Sequence, residues 1–317
     1  MRVSDDQVKN IATYALMHGI DKAVLNFSIK SESISRYIRE AKIRGLIDEE
    51  SSSFERRPNV LLLDIETAPL SAGVWGLWKQ NVYIEQVYSE WFMLTWSAKW
   101  LFDDEVFSDK LTPEEALSED DKRISQSIWE FMDYADIIIA HNGDGFDLPR
   151  LNTRFLLNGI IPPSPYQSID TLKVAKKHFG FSSNKLDFIA RQLGIDGKMD
   201  DGGYTTWRDI VKFGDQDALD LMEEYNKKDV LVLEEVYVKL RPWVKSHPNL
   251  SLYFEDMKER CPNCGNDHLT WVENKFYVTP MNKYSAVRCD ECGAIGRSRS
   301  SALTTMKRSH LISSTAR

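Results

Sequence analysis

The chain has 317 residues, 42% apolar and 28% charged, with a net charge of −8. That length predicts two or three domains with ample material for a core. No apolar run reaches the ~18 residues of a membrane-spanning helix, and the polar start Met1 to Asp6 does not read as a signal peptide, so a cytoplasmic protein is expected.

Residues 1–50 predict three short helices. Gln7 to Met17 is periodic and stops at His18-Gly19, Asp21 caps a second helix through Ala23-Val24-Leu25, and Ser31 caps a third over Ser33 to Arg44. Ile34, Tyr37, Ile38 and Ala41 fall on one face of that third helix. The last two helices resemble a helix-turn-helix, with Ala23 at the tight packing position and Arg36, Arg39 and Lys42 on the exposed face as candidate nucleic-acid contacts. Three short helices also make protein-interaction modules. Residues 51–58, with Ser51-Ser52-Ser53, read as a linker.

Residues 59–245 carry the chemistry. The apolar run Val60 to Leu63 predicts a strand buried on both faces, and it ends in Asp64-Ile65-Glu66. Residues i and i+2 of a strand share a face, so the two carboxylates project together and repel unless a cation sits between them. Next comes a stretch dense in aromatics, from Trp75, Trp78 and Tyr83 to Trp91, Phe92, Trp96 and Trp100. Core packing is the expectation for most. Trp75, Trp78 and Tyr83, in the irregular stretch after Glu66, are alternatives for stacking on bases, though core packing is the leading expectation for them too.

A second buried strand, Ile137 to Ala140, leads into turn residues His141 to Gly145 and then Asp147, with Pro149 marking a helix start. Asp147 could be only an N-cap, and spacing alone does not separate it from Asp144 as the functional carboxylate. A long helical pattern over Asp217 to Leu240 places Tyr225 and Asp229, at i and i+4, on one face. An aspartate on a largely apolar helix face is costly unless paired or liganded.

These three segments, in this order, resemble the DEDD superfamily of 3′→5′ exonucleases, which have an RNase H-like mixed α/β fold. Asp64-Ile65-Glu66-Thr67 matches the first motif. Asn142 with Phe146-Asp147, Leu151 and Arg154 matches the second and favours Asp147 over Asp144. Tyr225 and Asp229 match the third motif in its tyrosine-containing branch. Asp170-Thr171-Leu172, Phe179-Gly180-Phe181 and Ser183 to Leu186 add a likeness to the proofreading domains of family B polymerases. The resemblance implies that Asp64, Glu66, Asp147 and Asp229 hold two Mg²⁺ or Mn²⁺ ions, which clamp the attacking and leaving oxygens of an in-line displacement. It implies that Tyr225 orients the attacking water, that the products are nucleoside 5′-monophosphates, and that DNA is the substrate ahead of RNA. With no room for a polymerase domain, a polymerase or repair protein would be a partner in trans.

All four cysteines lie in two knuckles, Cys261-Pro262-Asn263-Cys264-Gly265 and Cys289-Asp290-Glu291-Cys292-Gly293, which predict a Cys₄ structural Zn²⁺ site. Between them, 269–272 and 275–278 read as the strands of a zinc ribbon spanning 257–296. His268 is a poorer ligand, because four thiolates complete the tetrahedron. Residues 297–317 read as a flexible basic tail, with Arg297 and Arg299 as candidate phosphate contacts. The charge supports this division. Residues 58–256 carry 20 Lys/Arg against 34 Asp/Glu, whereas 257–317 carry 10 against 5. The flanks are therefore the expected phosphate binders. Two other readings compete: an RNase H-like endonuclease, and a catalytically silent DNA-binding protein.

Overall fold

The computed structural model describes residues 5–18, Ala23, Phe27, Ser33, Ile34, Tyr37, Ile38, Ala41, Arg44 and Leu46, then 58–196, 202–254 and 256–312. The chain divides into two compact units, Met1–Arg57 with Leu252–Met257, and Pro58–Ser251 with Lys258–Arg317.

In the first unit, helix α1 (Asp5–His18) buries Val8, Ile11, Ala12 and Ala15, the i, i+3, i+4, i+7 stripe of an amphipathic helix. They pack with Ala23, Ile34, Tyr37 and Ala41, and Ile38 lies against the same cluster. The apolar face expected of the third helix is therefore inside this core. Arg36, Arg39 and Lys42 lie outside the described residues, as does most of the expected helix-turn-helix.

The second unit is built on strands β1 (Val60–Thr67), β2 (Ser71–Ala72), β3 (Val87–Ser89), β4 (Met93–Trp100) and β5 (Val106–Lys110), then helices α2 (Pro113–Ser118) and α3 (Lys122–Tyr134). Strand β6 (Ile137–Ala140) leads to α4 (Asp147–Leu157), and β7 (Gln167–Asp170) to α5 (Thr171–His178) and α6 (Leu186–Gln192). Helices α7 (Tyr204–Phe213) and α8 (Gln216–Leu240) close this part. Five strands form a mixed sheet in the order β5-β4-β1-β6-β7. The pairs β5/β4 and β4/β1 are antiparallel, while β1/β6 and β6/β7 are parallel.

Strand β1 is central and buried on both faces, which is why its sequence is a continuous apolar run rather than an alternating one. Leu61, Leu63 and Ile65 enter one core with Ile128, Leu151 and Phe155. Val60 and Leu62 enter the other with Ile189, Val230, Leu233 and Val236. By the period of two, Asp64 and Glu66 share the second face, the one covered by α8.

Polar ties fix α8 on the sheet. The buried Lys99 ammonium of β4 meets Glu234 at 2.6 Å, and Lys110 of β5 meets Glu223 and Asp220, each at 2.6 Å. On the other face Asp121 is fully buried. It accepts hydrogen bonds from Arg154 Nη2 (2.7 Å), Asn158 Nδ2 (2.8 Å) and the Met93 amide (2.8 Å). Arg154 is thus a structural clamp between α4 and the start of α3. Asp121→Ala leaves the guanidinium without its counter-charge, and the expected loss is about 3–5 kcal/mol, read from urea denaturation. An unchanged unfolding midpoint would deny the pair this role.

The C-terminal part is a three-stranded antiparallel sheet, β8 (Leu269–Thr279), β9 (Asn282–Cys289) and β10 (Ile295–Arg297), followed by the short helix α9 (Thr305–Ser309). The two strands expected at 269–272 and 275–278 are one strand, broken in register between Trp271 and Phe276, where Asn274 takes a left-handed φ of 56°. Its partner is β9. The expected tail also starts later. Arg297 belongs to β10, and Ser298 and Ala302 donate backbone hydrogen bonds to the Ser285 and Lys283 carbonyls at 2.8 and 2.7 Å. Among the described residues no helix is long and apolar enough to cross a membrane.

Candidate active site and metal centre

Three elements deliver the carboxylates to one place. Strand β1 brings Asp64 and Glu66. Asp147 opens α4 but does not cap it. Phe146 holds the N-cap position, and Asp147 Oδ1 instead accepts the Ile65 amide of β1 at 3.2 Å, with 1% of the residue exposed. The turn before it depends on Asn142, at a left-handed φ of 67°, and on Gly143, where a Cβ would stand 2.5 Å from the Ala140 Cβ. The Asn142 amide donates to Asp170 Oδ1 (3.0 Å), tying the turn to the head of α5. Asp144, the competing carboxylate, is committed elsewhere: it meets Lys173 Nζ and Ser168 Oγ, each at 2.7 Å.

Helix α8 brings Tyr225, Asn226 and Asp229. Burial, then the charges of Asp147, Glu66 and Asp229, hold the Asp64 carboxyl well above the usual carboxylate range, and a hydrogen bond from Asn226 opposes them. Asp147 is pushed up to about 7, chiefly by burial. Burial, the Asp229 charge and a hydrogen bond to Asp229 also raise the Tyr225 phenol. Asn226 is the residue sequence reasoning missed. It is fully buried, and its Nδ2 donates to Asp64 Oδ2 at 2.6 Å. Its Oδ1 has no hydrogen-bond partner among the described residues, and neither has Ser97 Oγ, on the residue paired with Asp64 across β4. The signal that could have found it is a polar residue on the buried stripe of α8, next to Tyr225.

Four mutually repelling carboxylates, Asp147 buried and Asp64, Glu66 and Asp229 half-buried, make a hard-oxygen donor set that suits Mg²⁺ or Mn²⁺. Without a cation, folding must retain protons on Asp64 and Asp147 that the unfolded chain releases near pH 4. Metal-free stability therefore falls as pH rises from that range through about 7. Melting curves at pH 6 and pH 8 check this. The metal-free protein is expected to melt lower at pH 8, and Mg²⁺ is expected to raise the melting temperature more at pH 8 than at pH 6. Identical curves at both values would rule it out.

A cavity of about 410 Å³ is lined by Thr67 and Phe146, the chain neighbours of Glu66 and Asp147, and by Trp91, Arg150, Tyr204 and Trp207 among others. The Arg150 guanidinium lies between two rings, 4.7 Å from the Trp91 centroid and 4.2 Å from that of Phe146, and donates to Thr67 Oγ1. Of the aromatics offered for stacking, Trp75 (97%), Trp78 (84%) and Tyr83 (67%) are exposed, so the core expectation fails for them, whereas Phe92 and Trp96 are buried.

The four thiols make a second centre. Their sulfurs lie within 4.8 Å of one another, with Cys261–Cys292 at 3.6 Å and Cys264–Cys289 at 3.5 Å. A tetrahedron with ~2.3 Å Zn–S bonds has edges of about 3.8 Å, so the cage fits zinc. Among the described residues only these side chains are gathered that tightly. Of the basic candidates in this unit, Arg297 stacks over Tyr284 at 4.1 Å, and Arg299 is exposed just beyond β10.

No curated protein matches this chain. Among solved structures, the family B DNA polymerase from the hyperthermophilic archaeon Pyrobaculum calidifontis is similar with a TM-score of 0.41 and 15% identity. That match covers 77% of this chain and 40% of the polymerase. A model of the RNase H superfamily matches residues 100–241, a span that holds Asp147, Tyr225 and Asp229 and begins after Asp64 and Glu66. The sheet and its helices form a mixed α/β, RNase H-like domain, and the four-cysteine centre beside it is compatible with a zinc ribbon.

Proposed function

We propose that this protein is a metal-dependent 3′→5′ exonuclease that releases nucleoside 5′-monophosphates, from DNA ahead of RNA. The observation that carries the reading is the convergence of Glu66, Asp147 and Asp229 on the dehydrated Asp64 carboxyl, with Tyr225 hydrogen-bonded to Asp229. Asp64, Glu66, Asp147 and Asp229 would hold two divalent ions. When bound, such ions neutralise the carboxylates and the charge on a phosphodiester.

The chain's own residues do the rest. Tyr225, kept protonated by burial and by donating its O–H to Asp229, would orient a water through its phenol oxygen, which accepts, rather than abstract the water's proton. Asn226 holds Asp64 in one rotamer. The aromatic cavity lined by Thr67 and Phe146, next in the chain to Glu66 and Asp147, would take an unpaired terminal base, with Arg150 at its wall for the adjoining phosphate. A site that takes a strand end predicts processing from termini. The four thiols would hold one structural Zn²⁺, and the basic side chains Arg36, Arg39, Lys42, Arg297 and Arg299 would meet phosphates.

Linear and circular single-stranded DNA separate the readings. Mononucleotides from the linear strand, with the circle intact, support the exonuclease; oligomers, or a cut circle, would replace it with an endonuclease. Tyr225→Phe, which removes only an orienting hydroxyl, is expected to cost about 10²-fold or less in kcat. A loss as deep as that of the aspartate variants would give the phenol a larger part.

A further inference from the structure

The outer face of the C-terminal sheet carries a ladder that the carboxylate site does not use. Tyr277 of β8 pairs with Tyr284 of β9, and Arg297 of β10 pairs with Ala286, two residues along from Tyr284. Residues two apart on a strand share a face, so Tyr277, Tyr284, Arg297 and the Arg288 that pairs with Ile295 stand on one side. The geometry agrees: the Arg297 guanidinium sits 4.1 Å from the Tyr284 ring centroid and 5.3 Å from that of Tyr277. Tyr277, Arg288, Ile295 and Arg297 are exposed. The opposite face takes Val287 and Cys289, with Cys289 in the buried cysteine cluster. No sheet position of the outer face is acidic. The nearby acids, Glu273, Asp290 and Glu291, lie at the register break and in the second knuckle turn.

We propose that this face binds single-stranded nucleic acid, with bases stacked on Tyr277 and Tyr284 and backbone phosphates on Arg288 and Arg297. Two features select that occupant. Two flat rings side by side across paired strands accept any base, because every base has a π-face. Interleaved guanidiniums, in the one segment of the chain with a clear excess of base over acid, match a polyanion. A duplex hides its base faces and offers the rings nothing. The surface stands whether or not the carboxylate site cuts.

The test uses full-length, zinc-loaded Asp229→Ala protein without added Mg²⁺, and fluorescence anisotropy with labelled oligo-dT and oligo-U. Tyr284→Ala is expected to weaken binding about tenfold or more, and Tyr284→Phe to bind like the parent. Arg297→Gln is expected to lower the slope of log affinity against log salt by about 1. Val278→Ala, on the opposite face, is expected to change nothing. Zinc content must match the parent, and Arg297→Gln decides the matter if Tyr284→Ala loses its metal. Parent-like binding and salt slope in Arg297→Gln, or a duplex held as tightly as the single strand, would overturn the proposal.

Discussion

Replacing Asp64 by Asn is expected to pull activity and stability in opposite directions. Cleavage should fall on the order of 10³-fold or more, beyond the loss of one ordinary transition-state donor. The metal-free protein should melt at a higher temperature than the parent. The reason lies in the cluster: Asp64 is the carboxyl that burial and three neighbouring acids oppose most, so an amide in its place removes charge that the fold must suppress. Its neighbour Asn226 can turn its unpartnered Oδ1 toward the new amide. Mg²⁺ should then raise the melting temperature less than in the parent. Calorimetry and a nuclease assay on one preparation check both halves. A variant that is inactive because it unfolds, or stabilised yet fully active, contradicts the assignment.

Loss of the zinc proposed for the four-cysteine centre is the second large expected effect. Free thiols are mostly protonated at neutral pH, so a metal must displace protons to bind the four cysteines. Structural zinc in small domains contributes an apparent ~10–16 kcal/mol, more than a three-stranded sheet with a cluster of three buried residues supplies itself. The knuckle is also seated on the end of α8. Asn263 Nδ2 donates to the Arg241 and Val244 carbonyls at 2.8 and 3.1 Å, and the Leu250 amide donates to Pro262 at 2.8 Å. Cys261→Ser, or chelation, is expected to leave amides of 258–303 exchanging fast with deuterium while β1 and β6 stay protected. Unchanged protection of β9 would show that the ribbon stands without metal.

The legibility of the chain in its sequence divides along physical lines. Strands β1 and β6 were plain because parallel central strands are uniform apolar runs. Helix α8 was plain because twenty-five residues repeat their period many times. The carboxylates drew notice because charges on a buried strand or on a largely apolar helix face have few structural uses. Asn226 escaped because an amide carries no charge to attract notice. The second strand of the ribbon escaped because a register break at Asn274 made one strand look like two. Trp75 and Trp78 were expected inside, since bulk alone does not tell a core residue from one held out on a loop.

The most direct measurement is digestion of 5′-labelled single-stranded DNA and RNA with the parent protein and Asp229→Ala, with and without Mg²⁺. A descending ladder that requires both Mg²⁺ and Asp229, and that forms faster on DNA, is expected. Cleavage that persists in Asp229→Ala or without Mg²⁺, or no cleavage of either strand by a folded, Mg²⁺-loaded parent, would contradict it.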